Sequence, residues 1–186
     1  TCSIQRQDVQ MEWEVSLIFD IETNGLLHDV STIHCLAIHD LQTDQTIAYN
    51  DTGSSEPISR GLQRLQDSDR VIGHNIIGYD LPVIRKLYPW FGNPAHVVDT
   101  LLLSRLYHPD MINLDKKRTW DGMPLKLYGK HSLESYGYRL DERKGDYGST
   151  SDWADWSQEM EDYCIQDVHV TTKLWKHFQP YLNGSR

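Results

Sequence analysis

Three short β-forming runs lie in the first part of the chain, at residues 16–19, 33–38 and 46–49, with a turn at Asn24-Gly25 after the first and the polar Asp40-Leu41-Gln42-Thr43-Asp44 between the other two. The connections favour pairing as an antiparallel meander. Strand and helix alternate from there on. Pro57 opens a helix carrying Ile58, Leu62 and Leu65 at helical spacing, and Val71-Ile72-Gly73 reads as a fourth, buried strand. Residues 79–87 read as a helix that Pro89 stops, Val97-Val98 as a fifth strand, and Thr100 as the cap of a helix bearing Leu101, Leu102 and Leu106. A meander followed by strand-helix alternation predicts an α/β domain, a central five-stranded mixed sheet covered by helices.

Residues 107–129 show no clear period, and Pro109, Gly122 and Pro124 among charges predict a long loop. A short helix is expected over 133–136, ended by Gly137. The longest element is predicted over 155–178, where Trp156, Met160, Tyr163, Val170, Leu174 and Phe178 mark one apolar face.

At 186 residues and 21.7 kDa the chain suits one domain, expected over 16–180 with a 1–15 extension of unclear role and a 181–186 tail. Its three cysteines, Cys2, Cys35 and Cys164, never form a Cys-x-x-Cys pair, which argues against a disulfide framework or a thiolate zinc site. They fit a reducing, intracellular setting, with no apolar run of membrane-spanning length and no secretory signal at the start. The net charge of −9 argues against a free-standing polyanion binder. Charge is uneven, however. Lys116, Lys117, Arg118, Lys126, Lys130, Arg139, Arg143 and Lys144 outnumber Asp121, Glu134, Asp141 and Glu142, a local +4 that leaves −13 for the rest.

Three acidic motifs carry the chemistry. Asp20 and Glu22 stand two apart at the end of the first strand, so both leave the same face. A strand end turning into solvent would read the same way. Asp80 follows His74-Asn75-Ile76-Ile77-Gly78-Tyr79 and stands where the chain enters a helix, a place that suits an acid by the helix dipole alone. Tyr163 and Asp167 lie i, i+4 on the long helix, and Asp167 interrupts its apolar stripe. A carboxylate there must be paired, protonated or metal-bound. Four converging acids would raise one another's pKa values unless cations lay between them, and all-oxygen ligation selects Mg²⁺ or Mn²⁺.

These motifs, as Phe19-Asp20-Ile21-Glu22-Thr23, Asn75-Ile76-Ile77-Gly78-Tyr79-Asp80 and Tyr163-Cys164-Ile165-Gln166-Asp167, resemble the proofreading exonuclease domain of bacteriophage family-A DNA polymerases, within the DEDD (DnaQ-like) superfamily. The similarity extends through residues 99–106 and 131–140 and spans about 16–178. It implies a ribonuclease H-like fold and a 3′ to 5′ exonuclease that hydrolyses single-stranded or frayed DNA ends to nucleoside monophosphates by a two-metal mechanism. Asp20, Glu22 and Asp167 would hold the metal carrying the attacking water, and Asp20 would bridge to a second, supported by Asp80. Tyr163 would orient the water. A sister branch has histidine five residues before the last aspartate; here that residue is Asp162, so the tyrosine branch is implied and His169 becomes an ordinary helix-surface residue. Leu26 would wedge against the terminal base, with Thr23 and Asn75 near the substrate.

The resemblance further implies a DNA polymerase domain or replisome component as companion, and the host cell cytoplasm as location if the source is viral. Either an excised polymerase domain or a free-standing nuclease fits a sequence that ends just after the long helix. An exoribonuclease with the same acids is the rival enzymatic reading, and a catalytically silent nucleic-acid-binding or interaction module the rival from another class. Zinc binding is a distant third, since nine histidines lie scattered without a ligand-spaced pair beside a cysteine.

Overall fold

The computed structural model describes residues 15–53, 55–142 and 153–185. Its centre is a five-stranded sheet in the order β3-β2-β1-β4-β5. The strands are β1 (Ser16–Thr23), β2 (Ile33–Asp40), β3 (Gln45–Tyr49), β4 (Arg70–Gly73) and β5 (Val97–Asp99). The first three pair antiparallel, and β4 and β5 join parallel to β1 and to each other, which is the mixed α/β sheet expected.

β1 is the middle strand, and its register places the site. Against β2 it pairs Asp20 with Ala37 and Glu22 with Cys35, with an irregularity between Glu22 and Thr23. Against β4 it pairs only from Ser16 to Ile18, so its last residues run on past that neighbour. Side chains alternate across a strand. Leu17, Phe19 and Ile21 therefore enter one core, with Ile58, Leu62 and Leu65 of α1 (Ile58–Gln66) and with Leu81, Val83 and Ile84 of α2 (Asp80–Leu87). Ile18, Cys35, Ala37 and Ile72 enter the other, beneath Met160, Cys164, Val168 and Trp175 of the long last helix. Asp20 and Glu22 share the parity of Ile18 and so emerge on that helix's side. Pro57 stands at the cap of α1, as expected, and Gly61 lets that helix approach closely: a Cβ there would come within 2.6 Å of Leu36 Cδ2 and 2.8 Å of the Tyr49 ring.

Four boundaries differ from the sequence reading. Asp99, not Thr100, caps α3 (Thr100–Tyr107), its carboxylate accepting from Leu101 N. Thr100 is fully buried, and its hydroxyl donates to Gly73 O at 3.1 Å. The expected loop at 107–129 contains α4 (Met111–Lys116) and a 3₁₀ turn at Leu125–Leu127, elements too short to register as a period. Gly137 does not end α5 (Leu133–Arg139); it lies buried inside it. The last helix, α6, spans Gln158–Leu182 rather than 155–178. Ser157 caps it by accepting from Met160 N, with Glu159 and Glu161 in the first turn favoured by the helix dipole. Trp156 packs against the core from just before the helix.

Val170, Leu174 and Phe178 of α6 face Leu133 and Tyr136 of α5, with Met111 of α4, in a third cluster. α6 thus spans the sheet with its first half and holds the α4–α5 region with its second. Among the described residues no helix is long and apolar enough to cross a membrane.

Candidate active site

At the end of β1, Asp20 and Glu22 are half-buried. Their carboxylates and the Cys164 thiol lie within 4.8 Å of one another, a grouping that could hold a metal ion. Cys164 comes from α6 and packs under β1: its Sγ donates to Asp20 O at 3.4 Å and lies 3.8 Å from Asp20 Oδ2. Burial, then the neighbouring Cys35 thiol and the charges of Asp20 and Glu22, push the Cys164 thiol well above its ordinary pKa. The shift favours the neutral thiol, and a neutral thiol is a poor metal ligand. The donor set that remains is oxygen, which suits hard divalent ions.

Asp80 is the first residue of α2 and only 4% exposed. Burial raises its pKa from 3.8 to about 7, partly opposed by hydrogen bonds from its own backbone N–H and that of Ile21, and reinforced by the charges of Asp99 and Asp167. Ile21 separates Asp20 from Glu22, so its N–H acts on Asp80 from the strand that carries them. Asp167 is buried at 6% exposure, one helical turn after the half-buried Tyr163. The Tyr163 ring meets Trp153 edge-on at 6.4 Å, and Trp153 O is 3.0 Å from His34 Nε2. Asp80 and Asp167 interact with each other but lie outside the 4.8 Å grouping of Asp20, Glu22 and Cys164.

The loop between β4 and α2 is shaped by Asp99, whose role the sequence reading missed. Its Oδ1 accepts from Asn75 N at 2.9 Å and from Leu101 N at 2.9 Å, and its Oδ2 from Ile77 N at 3.1 Å. Asn75 has φ +64°, a left-handed conformation that asparagine tolerates better than most residues, and its side chain is exposed. Its carbonyl accepts from Gly78 N and Tyr79 N at 3.0 Å each, closing the turn that delivers Asp80. An acid at a strand-to-helix junction was the one available sign of Asp99's role.

Thr23 is buried, and its hydroxyl lies 3.1 Å from Gly25 O and in contact with the Tyr79 hydroxyl, itself 2.5 Å from Gly25 O. Thr23 is thus bonded to the turn after β1 and to the α2 entry. Leu26 on that turn is 67% exposed, and its carbonyl accepts from Asp29 N and Val30 N. Lys86 of α2 donates to Leu27 O and His28 O at 3.0 Å each, holding the turn from below. His169 is exposed on α6, 3.3 Å from Thr46 Oγ1, at the β3 side of the sheet.

An α/β fold whose central strand ends in half-buried acids under a long helix, with further buried acids at the neighbouring strand-helix junction, defines a protein of the ribonuclease H-like type. The chain belongs to the RNase_H superfamily, whose family model matches residues 17–179. It is 31% identical over 192 aligned residues to the DNA-directed DNA polymerases of Escherichia phage T7 and of Enterobacteria phage T3, covering 88% of this chain. The chain spans 27% of the length of these curated relatives. Among solved structures, Brucella melitensis NrnC superposes with a TM-score of 0.60 at 20% identity, over 92% of this chain and 77% of that one. At that identity the likeness concerns the fold.

Proposed function

We infer that the chain is a metal-dependent 3′ to 5′ exonuclease domain that shortens DNA from single-stranded or frayed 3′ ends and releases nucleoside 5′-monophosphates. The observation that carries this reading is Asp80: a carboxylate 4% exposed, its charged form favoured by the backbone N–H between Asp20 and Glu22 and disfavoured by burial and by the charges of Asp99 and Asp167. Such a concentration of acid is relieved by divalent cations.

The residues present fit such ions, with Asp20, Glu22, Asp80 and Asp167 as oxygen ligands. Two Mg²⁺ or Mn²⁺ ions bound there would supply an activated water and stabilise the charge leaving on the 3′ oxygen. Tyr163 orients the water through its hydroxyl. The buried thiol of Cys164 fixes the Asp20 backbone through its bond to Asp20 O without joining the ligand set. Leu26, apolar and exposed on the turn beside Thr23, packs against the terminal base, and Asn75 faces the substrate from the rim. In the reaction a water oxygen bonds to phosphorus and the bond from phosphorus to the 3′ oxygen breaks. One proton passes to that oxygen, leaving a shortened strand with a free 3′ hydroxyl.

DNA as substrate, and a polymerase domain or replisome component as companion, draw support from the polymerases that share 31% identity with this chain. The test is a pair of DNA and RNA oligonucleotides of one sequence, each labelled at the 5′ end and digested with Mg²⁺. The reading predicts a ladder of DNA products shortened one nucleotide at a time from the 3′ end. Release of the labelled 5′ nucleotide first, or faster digestion of RNA, would contradict it.

A further inference from the structure

The basic stretch of the sequence has a structural counterpart away from the acids. Lys117, Arg118 and Arg139 line a cavity of about 420 Å³ among α4, α5 and the last turns of α6. On its α6 wall, His177 and Tyr181 follow Asp167 by ten and fourteen residues. At 1.5 Å per residue that is about 15 and 21 Å along the helix.

The cavity combines fixed positive charge with aromatic surface. Among the described residues Asp115 is its only carboxylate, and it is already engaged: Arg139 donates to both its oxygens at 2.9 and 2.7 Å, and Gly129 N adds a third bond at 2.8 Å. The two side chains of that pair are 1% and 6% exposed, so the guanidinium is held in place. It lies 5.0 Å from the Tyr136 ring centre, and among the described residues its Nη1 has no hydrogen-bond partner. Lys117 and Arg118 are exposed, and the Arg118 guanidinium lies 5.7 Å from the Trp120 ring centre. His108 and His177 share a 2.9 Å bond between their Nε2 atoms and stack into the group of Phe178 and Tyr181. Cations that grip phosphate beside rings that stack a base make up the chemistry of nucleotide recognition. The volume falls within the roughly 300–1,000 Å³ of small-molecule sites.

We propose that this cavity binds a nucleoside phosphate, its base against Trp120 and the neighbouring rings and its phosphate at Lys117 and Arg118. The choice of a nucleotide over another planar anion rests on the nuclease reading above. The ligand comes either free, as a mononucleotide of the kind the reaction releases, or as an internal nucleotide of a strand whose 3′ end lies at the acids.

The experiment is calorimetric titration of the full chain in EDTA, which halts hydrolysis, with thymidine 5′-monophosphate, a short oligothymidylate and inorganic phosphate. The acid-site variant Asp20→Ala/Asp167→Ala should retain the binding. Lys117→Glu/Arg118→Glu should weaken it by about tenfold or more, as loss of charge-assisted bonds implies. Both residues are on the surface, so reversal of their charge leaves the fold intact, and Trp120→Leu tests the stacking separately. Saturation by the mononucleotide identifies the free ligand; saturation by the oligonucleotide alone identifies the strand. Absence of saturable binding, inorganic phosphate binding as well as the nucleotide, or binding unchanged by the charge reversal would overturn the proposal. A chain that binds the nucleotide here yet digests no 3′ end would remove the nuclease reading and leave the site standing.

Discussion

The backbone N–H of Ile21, the residue between Asp20 and Glu22, favours the charged form of the buried Asp80 carboxylate. The link is available because β1 outruns its parallel neighbour: the pairing with β4 stops at Ile18, and α2 begins its helical path beside the unpaired end. The electrostatics of one backbone N–H therefore link the acid of the second motif to the two of the first. Burial and the charges of Asp99 and Asp167 make the joined arrangement expensive until a cation enters.

That cost has a definite sign with pH. Below about pH 4 Asp80 is protonated in both folded and unfolded chains; between there and about pH 7 the unfolded chain gives up the proton while the folded one keeps it, so stability falls as pH rises and levels off above pH 7. In EDTA, raising the pH from about 5 to about 8 should lower the Tm of the wild type more than that of Asp80→Asn, and Mg²⁺ should narrow the difference. Parallel Tm curves for the two proteins would show that Asp80 bears no such burden.

Asp20→Ala and Asp167→Ala should each nearly abolish turnover. Tyr163→Phe should cost less, within the roughly 10² to 10⁴-fold of groups that assist proton transfer. Single-turnover digestion separates the two classes. A Tyr163→Phe loss equal to that of the aspartates would assign the phenol a different role.

Much of this arrangement was legible because it follows from periods of two and 3.6. Asp20 and Glu22 had to share a face of a strand, Tyr163 and Asp167 a side of a helix, and the five apolar runs became the five strands. What escaped was set by tertiary contact. Asp99 caps α3 and clamps the Asn75 turn, which only the parallel pairing of β4 with β5 brings together. Cys164 reaches Asp20 because α6 crosses β1 at that residue. The 107–129 segment forms α4 because Met111 finds the α5–α6 cluster and Asp115 finds Arg139, contacts that leave no local period.

The Asp115 and Arg139 pair makes its own prediction. With side chains 1% and 6% exposed, removal of one partner leaves a buried charge uncompensated. Asp115→Ala should destabilise the protein by about 3–5 kcal/mol, read by urea unfolding. A change under about 1 kcal/mol would mean that water reaches Arg139 freely.

At Asn75 the backbone, at φ +64°, decides the outcome. Asn75→Gly should leave stability within about 0.5 kcal/mol, whereas Asn75→Val should cost about 1–3 kcal/mol by strain. If Asn75 also touches the strand, Asn75→Gly should raise KM for DNA with little change in kcat. An unaltered KM would confine Asn75 to shaping the turn.

The central claim is that acids from β1, α2 and α6 together hold divalent ions, and Mn²⁺ titration followed by electron paramagnetic resonance tests it most directly. The account predicts saturable Mn²⁺ binding to the wild type, tighter as pH rises through about 7, weakened severely by Asp20→Ala and by Asp167→Ala and unchanged by Cys164→Ser. Mn²⁺ affinity indifferent to Asp20 and Asp167, or dependent on Cys164, would contradict it.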